Sequence, residues 1–208
     1  MRIEPAKKRV CGFIDGQNLY HAVKEAFGYN YPNYDPQALS ERICRMKGWN
    51  LVKVSFYTGV PDPLVDARWH QFWELKLAVM GTRGIHTFSR VLKYSNQPVT
   101  LPDGRETTIL VGREKGVDIR IALDVVRMAR HDEFDVAMIF SQDQDLSEVA
   151  AEVREISKEQ DRWMKVACAY PISPTLINQR GINGTDWIRI DRAMYDSCVD
   201  LLDYRSRK

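Results

Sequence analysis

Two hydrophobic periods take turns along this chain. Segments 10–15 (VCGFID), 51–57 (LVKVSFY), 85–94, 136–140 (VAMIF), 164–169 and 187–190 are short, rich in β-branched or aromatic residues, and predict strands. Between them apolar residues recur every three or four positions. Leu19, Val23 and Phe27 follow Gly16; Trp69, Phe72, Trp73 and Leu77 fall within 63–80, closed by Gly81; 116–130 reads GVDIRIALDVVRMAR. Leu146, Val149, Val153 and Ile156 mark a further helix over 145–160, and 192–204 predicts a terminal one. Asp35 and Pro36 form an N-cap and N1 pair for a helix to Lys47, with Gly48 at the stop. The turn chemistry of 101–104 (LPDG) before 107–111 predicts a hairpin or short excursion, and 174–179 is a short helix at best.

Strands separated by helices of this length predict an α/β fold with a mostly parallel central sheet and helices on both faces. In such sheets ligands bind at the carboxyl ends of the strands, which says where chemistry should be sought. With 208 residues the whole chain, 1–208, is expected to form one domain, its core about 9–191 and its last helix 192–204.

Two acid-bearing segments follow apolar strands: FIDGQN after the first, with Asp15 and Asn18, and SQDQDL after 136–140, with Ser141, Asp143 and Asp145. Asp118 stands in the first turn of the helix that opens with Lys115 and Gly116. Clustered carboxylates suit a hard divalent cation, and a pair of such ions cleaves phosphodiesters without a protein nucleophile. Taken singly, each acid has a plainer use: Asp15 or Asp118 as a helix cap, and Asp145 as a cap completed by Glu148. Asp124 differs, because it shares an apolar helix face with Val117, Ile121, Val125 and Met128. A carboxylate there needs a hydrogen-bond partner or a metal, and a structural hydrogen bond is the favoured reading.

The net charge is +2, from 30 basic and 28 acidic residues, so bulk electrostatics announce no nucleic-acid binder and local arrangement must decide. Cys11, Cys44, Cys168 and Cys198 form no C-x-x-C pair, and with His21, His70, His86 and His131 scattered, a zinc site is set aside in favour of reduced core thiols. No run approaches ~18 apolar residues and the start lacks a leader-like core, so a cytoplasmic protein without membrane association is expected.

FIDGQN (13–18), KGVDIRIALDV (115–125) and SQDQDL (141–146) resemble, in order and spacing, the motifs of NYN domains, which belong to the PIN-like nucleases. The most similar branch is the bacterial LabA/DUF88-like group, and the resemblance spans roughly residues 9–191. It implies a PIN-like, Rossmannoid three-layer sandwich and Mg²⁺- or Mn²⁺-dependent endoribonuclease activity. Metal-ligand roles fall to Asp15, Asp118 and Asp143, with Asp145 as a fourth acid. Asn18 would orient Asp15 or bind phosphate, Ser141 position the acidic loop, Lys115 sit near the scissile phosphate, and Asp124 match the second acid of its helix. Gln142 stands where the family usually has glycine, which puts the loop geometry in question.

Arg83, His86, Arg90, Lys93, Tyr94, Arg105, Arg113 and Lys115 fall in one region, a candidate RNA-contact surface or simply a solvated hairpin. Single-stranded RNA suits an open crevice, where splayed bases can stack while phosphates reach the metals. Trp69, Trp73, Val79, Met80 and helix 192–204 offer a homodimer face, although core packing uses the same residues. Beside the ribonuclease stands an alternative, a catalytically weak nucleic-acid-binding regulator on the same fold. A small-molecule phosphohydrolase is less favoured, since no glycine-rich phosphate loop follows the first strand.

Overall fold

In the computed structural model, which describes residues 2–177 and 179–205, strands β1 (Arg9–Asp15), β2 (Asn50–Val60), β3 (His86–Val91), β6 (Val136–Phe140), β7 (Lys165–Pro171) and β8 (Asp186–Ile190) form one parallel sheet in the order β3-β2-β1-β6-β7-β8. Strands β4 (Lys93–Thr100) and β5 (Glu106–Arg113) make a separate antiparallel hairpin. The chain runs outward from β1 through β2 to β3, then returns to the other side of β1 as β6. That reversal opens a crevice where the carboxyl ends of β1 and β6 lie side by side.

The strands' period of two divides the core between the sheet's faces. Val10 and Ile14 of β1, with Val136, Met138 and Phe140 of β6, enter one cluster; Cys11, Phe13, Ala137 and Ile139 enter the other. Helices α1 (Gly16–Phe27), α2 (Pro36–Lys47) and α3 (Ala67–Thr82) cover the first face through Leu19, Val23, Leu39, Ile43 and Phe72. Helices α4 (Val117–Arg130) and α5 (Ser147–Glu159) cover the second through Ile121, Val125, Val149 and Val153. The architecture is therefore the expected α/β sandwich of three layers. All four cysteines are free and buried. Trp73 and Met80 are core residues and Trp69 and Val79 pack against them, so core packing accounts for that group.

Several boundaries differ from expectation for local reasons. Helix α3 starts at Ala67 rather than 63, because Asp66 caps it by accepting from the Trp69 N–H at 3.0 Å; it runs through Gly81, and Gly84, at φ +82°, takes the left-handed turn beyond it. The strand expected over 85–94 breaks at Leu92, whose N–H is bound by the Val60 carbonyl at 2.9 Å. Helix α5 begins at Ser147, after a 3-10 turn at Gln144–Leu146. Residues 174–177 form a turn, not a helix, and 178 lies outside the described residues.

The expected helix 192–204 is cut to α6 (Arg192–Asp196). Beyond it a turn at Ser197 and Cys198 leads into a single β-bridge: Val199 pairs with Tyr34, Asp35 N–H donates to the Cys198 carbonyl (2.8 Å), and Asp200 N–H donates to that of Asn33 (2.7 Å). The Asp200 carboxylate is drawn inward to buried Lys76, and this tertiary demand overrides the local helical period. No helix among the described residues is long and apolar enough to cross a membrane.

Candidate metal and nucleic-acid site

Asp15 is the last residue of β1 and the N-cap of α1, its Oδ1 accepting from the Asn18 N–H at 3.0 Å. Strand order carries it next to the segment after β6, where Ser141 Oγ donates to Asp15 Oδ2 (3.3 Å) and accepts from the Asp143 N–H (3.2 Å). Asn18 completes the junction: its Oδ1 accepts from the Gln142 N–H at 2.9 Å. Ser141 and Asn18 thus lock the two acid-bearing loops to one another. Gln142 meets no conformational obstacle, since the described non-glycine residues with positive φ are Asp132 and Asp161; its Nε2 donates instead to the Arg180 carbonyl (2.8 Å).

Helix α4 brings the third acid. Its N-cap is Gly116, at φ +76°, a left-handed conformation that favours glycine. Two residues on, Asp118 joins Asp15 and Asp143 around a cavity of ≈ 450 Å³, also lined by Lys115, Gly116, Ile119 and Glu114. Glu114 is the acid that sequence reasoning missed. It directly precedes the Lys-Gly-Val-Asp motif at the end of β5, and that adjacency was the available signal. Its Oε2 accepts from the Gly59 N–H at 2.5 Å, fixing it to the end of β2.

The cavity's electrostatics are those of like charges held together. Burial pushes the Asp15 carboxyl up to about 6, against the hydrogen bonds from Asn18 and Ser141, and Asp143 and Asp118 push the same way. Burial likewise lifts Glu114 to about 7, with Asp15 and Asp118 adding to the rise. Among the described residues, no three His, Cys, Asp or Glu groups are gathered tightly enough to hold an ion alone. The donor set is nonetheless all oxygen, under-neutralised and open on one side. That fits a hard cation bound through one or two carboxylates, water and substrate phosphate better than a closed protein cage.

The other candidates separate clearly. Asp145 is exposed in the 3-10 turn and outside the cavity lining; the cap is Asp143, whose Oδ1 accepts from the Asp145 N–H (3.0 Å), so no capping box runs from Asp145 to Glu148. Asp124 is buried and structurally satisfied, by Tyr57 Oη at 3.0 Å and by the Arg120 guanidinium. Burial pushes Asp124 up, but those bonds and Arg127 bring it below its ordinary value. Of the basic residues, Lys115 lines the cavity, Arg90 donates to its carbonyl (3.4 Å), and Lys93 and Arg113 face one another at the hairpin base beside Glu114. Arg105 is at the far end of the hairpin, paired with Asp103. Arg83 does not join them: it pairs with Asp35 at 2.9 Å and approaches Asp200 at 3.8 Å. A larger cavity, ≈ 700 Å³, lies beside Phe27, Ile172 and Arg192, but its acid, Asp191, is spent capping α6.

The NYN domain family model matches residues 9–161. This chain belongs to the NYN domain family, and so to the PIN-like nuclease superfamily. Among solved structures it is similar to VPA0982, a protein of unknown function from Vibrio parahaemolyticus, at 18% identity and TM-score 0.51, covering 95% of this chain and 99% of that one. The likeness shows a shared fold. Acinetobacter baumannii MurG aligns at 10% identity over 78% of this chain and 35% of its own, with TM-score 0.29, too low to carry an argument. No curated protein matches. The four-acid cavity therefore occupies the strand-end crevice of a domain from a nuclease-like family.

Proposed function

We infer that this NYN protein is a divalent-metal-dependent ribonuclease acting on single-stranded RNA, with Mg²⁺ or Mn²⁺ as the metal. The observation that carries the reading is the gathering of Asp15, Asp118, Asp143 and Glu114 around one open cavity beside Lys115. A bound divalent cation supplies charge to the phosphate and acidifies a water. One or two of Asp15, Asp118 and Asp143 would hold it, with water and substrate phosphate in its remaining positions, and Ser141 and Asn18 would orient the acids. Glu114, pushed up to about 7 and bonded to Gly59 through Oε2, leaves Oε1 to take a proton near neutral pH. The Lys115 ammonium offsets phosphate charge, and Arg90, Lys93 and Arg113 extend a basic approach for the backbone.

The test is cleavage of labelled single-stranded RNA and matched DNA with Mn²⁺, Mg²⁺ or EDTA, beside an Asp15→Asn/Asp143→Asn double variant. Cleavage of RNA that needs both the metal and the acids is the expected result. A folded, metal-loaded protein that binds RNA without cutting it would replace the nuclease with a binding regulator. Cleavage surviving the double variant would overturn the site.

A further inference from the structure

Next to the carboxylate cavity lies a second, apolar one of ≈ 230 Å³, lined by Tyr20, His21, Pro32, Pro61 and Trp69, with Gln17 and the buried Trp73 completing it. Its volume is below the ~300–1,000 Å³ of sites that enclose drug-sized ligands, and flat side chains dominate its walls. The Tyr20 and His21 rings lie 5.2 Å apart at 46°, and Trp69 is braced edge-on by Phe72 at 5.0 Å. Tyr20 is fixed through its Oη to the Asn30 carbonyl (3.0 Å). The pocket is thus walled largely by rings, faces on which a planar heterocycle can stack.

Gly59 ties a lining residue of one cavity to a lining residue of the other. Its carbonyl accepts from Gln17 Nε2 (3.1 Å) on the aromatic side, and its N–H donates to Glu114 Oε2 (2.5 Å) on the acidic side. A Cβ at this position would come 3.0 Å from Gln17 Nε2, 2.9 Å from Glu114 Oε2 and 2.4 Å from Leu92 Cδ2, so the linings of the two cavities converge on this glycine. A ring lodged among the aromatics and a phosphate at the acids would be neighbours, as base and phosphate are within one nucleotide. With Nε2 committed, Gln17 has Oε1 to accept from an exocyclic amino group.

We propose that the Tyr20/His21/Trp69 pocket is a nucleobase subsite, receiving an unstacked base of the strand whose phosphate lies at the Asp15/Glu114 cavity. The inference rests on the nuclease reading and names how that site holds its substrate. It makes Tyr20, His21 and Trp69 binding residues, and Gln17 the residue that reads the base edge.

The experiment is anisotropy of a 5′-labelled single-stranded hexanucleotide in Ca²⁺, with a series in which each position in turn is abasic, on wild type and on His21→Ala, Tyr20→Leu and Trp69→Leu. Stacking on aromatic side chains predicts that one abasic position weakens wild-type binding about tenfold. In the pocket variants the intact strand binds that much more weakly and the abasic penalty disappears. The abasic series needs no variant, so it stands even if Trp69→Leu fails to fold. Wild-type binding and Mn²⁺-dependent cleavage with abasic effects within twofold at every position would overturn the subsite and leave the nuclease standing. Abasic-sensitive binding without cleavage in Mn²⁺ or Mg²⁺ would support the subsite and sink the nuclease. No binding of any strand would overturn both.

Discussion

Buried charge is arranged in two different ways in this molecule. Around Lys76, whose side chain is fully buried, the ammonium donates to the Tyr34 carbonyl (3.0 Å) and to Asp200 Oδ2 (3.2 Å), with the Tyr204 ring centroid 4.9 Å away. Tyr204 Oη and Arg83 also face Asp200, and Arg83 reaches Asp35. Every charge there has an opposite, and the group ties the chain's end to α3 and the start of α2. Around Asp15 the neighbours Asp143 and Asp118 repel it, and Glu114 is repelled by Asp15 in turn. The first arrangement is complete in itself and holds the fold together. The second has Lys115 as the one cation among the described residues of its lining, and the excess of negative charge raises the proton affinity of its acids.

Breaking the paired region should have the largest effect. Lys76→Ala leaves Asp200 buried without its main partner, and such losses cost about 3–5 kcal/mol. Arg83 softens this towards the lower figure. The melting temperature should fall by ~10 °C, since each kcal/mol shifts a domain of this size by ~2–4 °C. A change under ~2 °C would show that the pair contributes little to holding the chain's end.

Breaking the unpaired region should instead separate stability from activity. Asp15→Asn keeps an acceptor for the Asn18 N–H while removing one repelled charge. On the ribonuclease reading cleavage should drop by at least ~100-fold, because even the partners that merely orient metal ligands are worth ~10–100-fold. In EDTA at pH 8 the variant should melt no lower than the wild type. A clear loss of melting temperature there would make Asp15 a structural residue like Asp124.

The pH dependence sharpens the same contrast. Asp15 and Glu114 stand at about 6 and about 7 in the fold, above their ordinary 3.8 and 4.5. Their protonated forms therefore add stability that is full below about pH 4 and is lost as pH rises through 6 and 7, a loss of order 3 kcal/mol for well-buried Asp15, with a smaller, solvent-screened share from Glu114. Burial pushes Asp200 up, but Lys76, the Leu202 N–H and Tyr204 bring it below its ordinary value, so its contribution runs the other way and is lost as pH falls. Melting curves from pH 5 to 8 in EDTA should show the descent, with Mg²⁺ restoring stability at pH 8 and doing little at pH 5. Indifference to Mg²⁺ at pH 8 would argue against a cation site. The smallest effect belongs to Asp145→Asn, within ~0.5 kcal/mol in stability because it is an exposed surface change. Its cleavage rate should stay within twofold; a larger loss would return Asp145 to the metal site.

Much of this was legible in the chain because it depends on neighbours in sequence. Periods of two and three to four residues write strand and helix directly, and Asp35-Pro36 with Gly48 bound α2 as expected, Gly48 taking φ +67°. The three motifs carried the family and three of the four cavity acids. Asp124 also read correctly, because a carboxylate on an apolar helix face has to find a partner wherever that face is buried.

Tertiary structure decided the rest. Glu114 looks like one more charge after a polar hairpin until strand pairing brings the Gly59 N–H to it. Arg83 sits among basic residues in sequence, yet α3 carries it to Asp35 and Asp200. The helical period of 192–204 yields to Lys76, buried more than a hundred residues earlier, and Asp145 matches a motif whose turn directs Asp143 inward instead. The physical reason is common to all four. Backbone propensity and apolar periodicity act between residues a few positions apart, whereas the energy of a charge depends on what the folded chain places beside it.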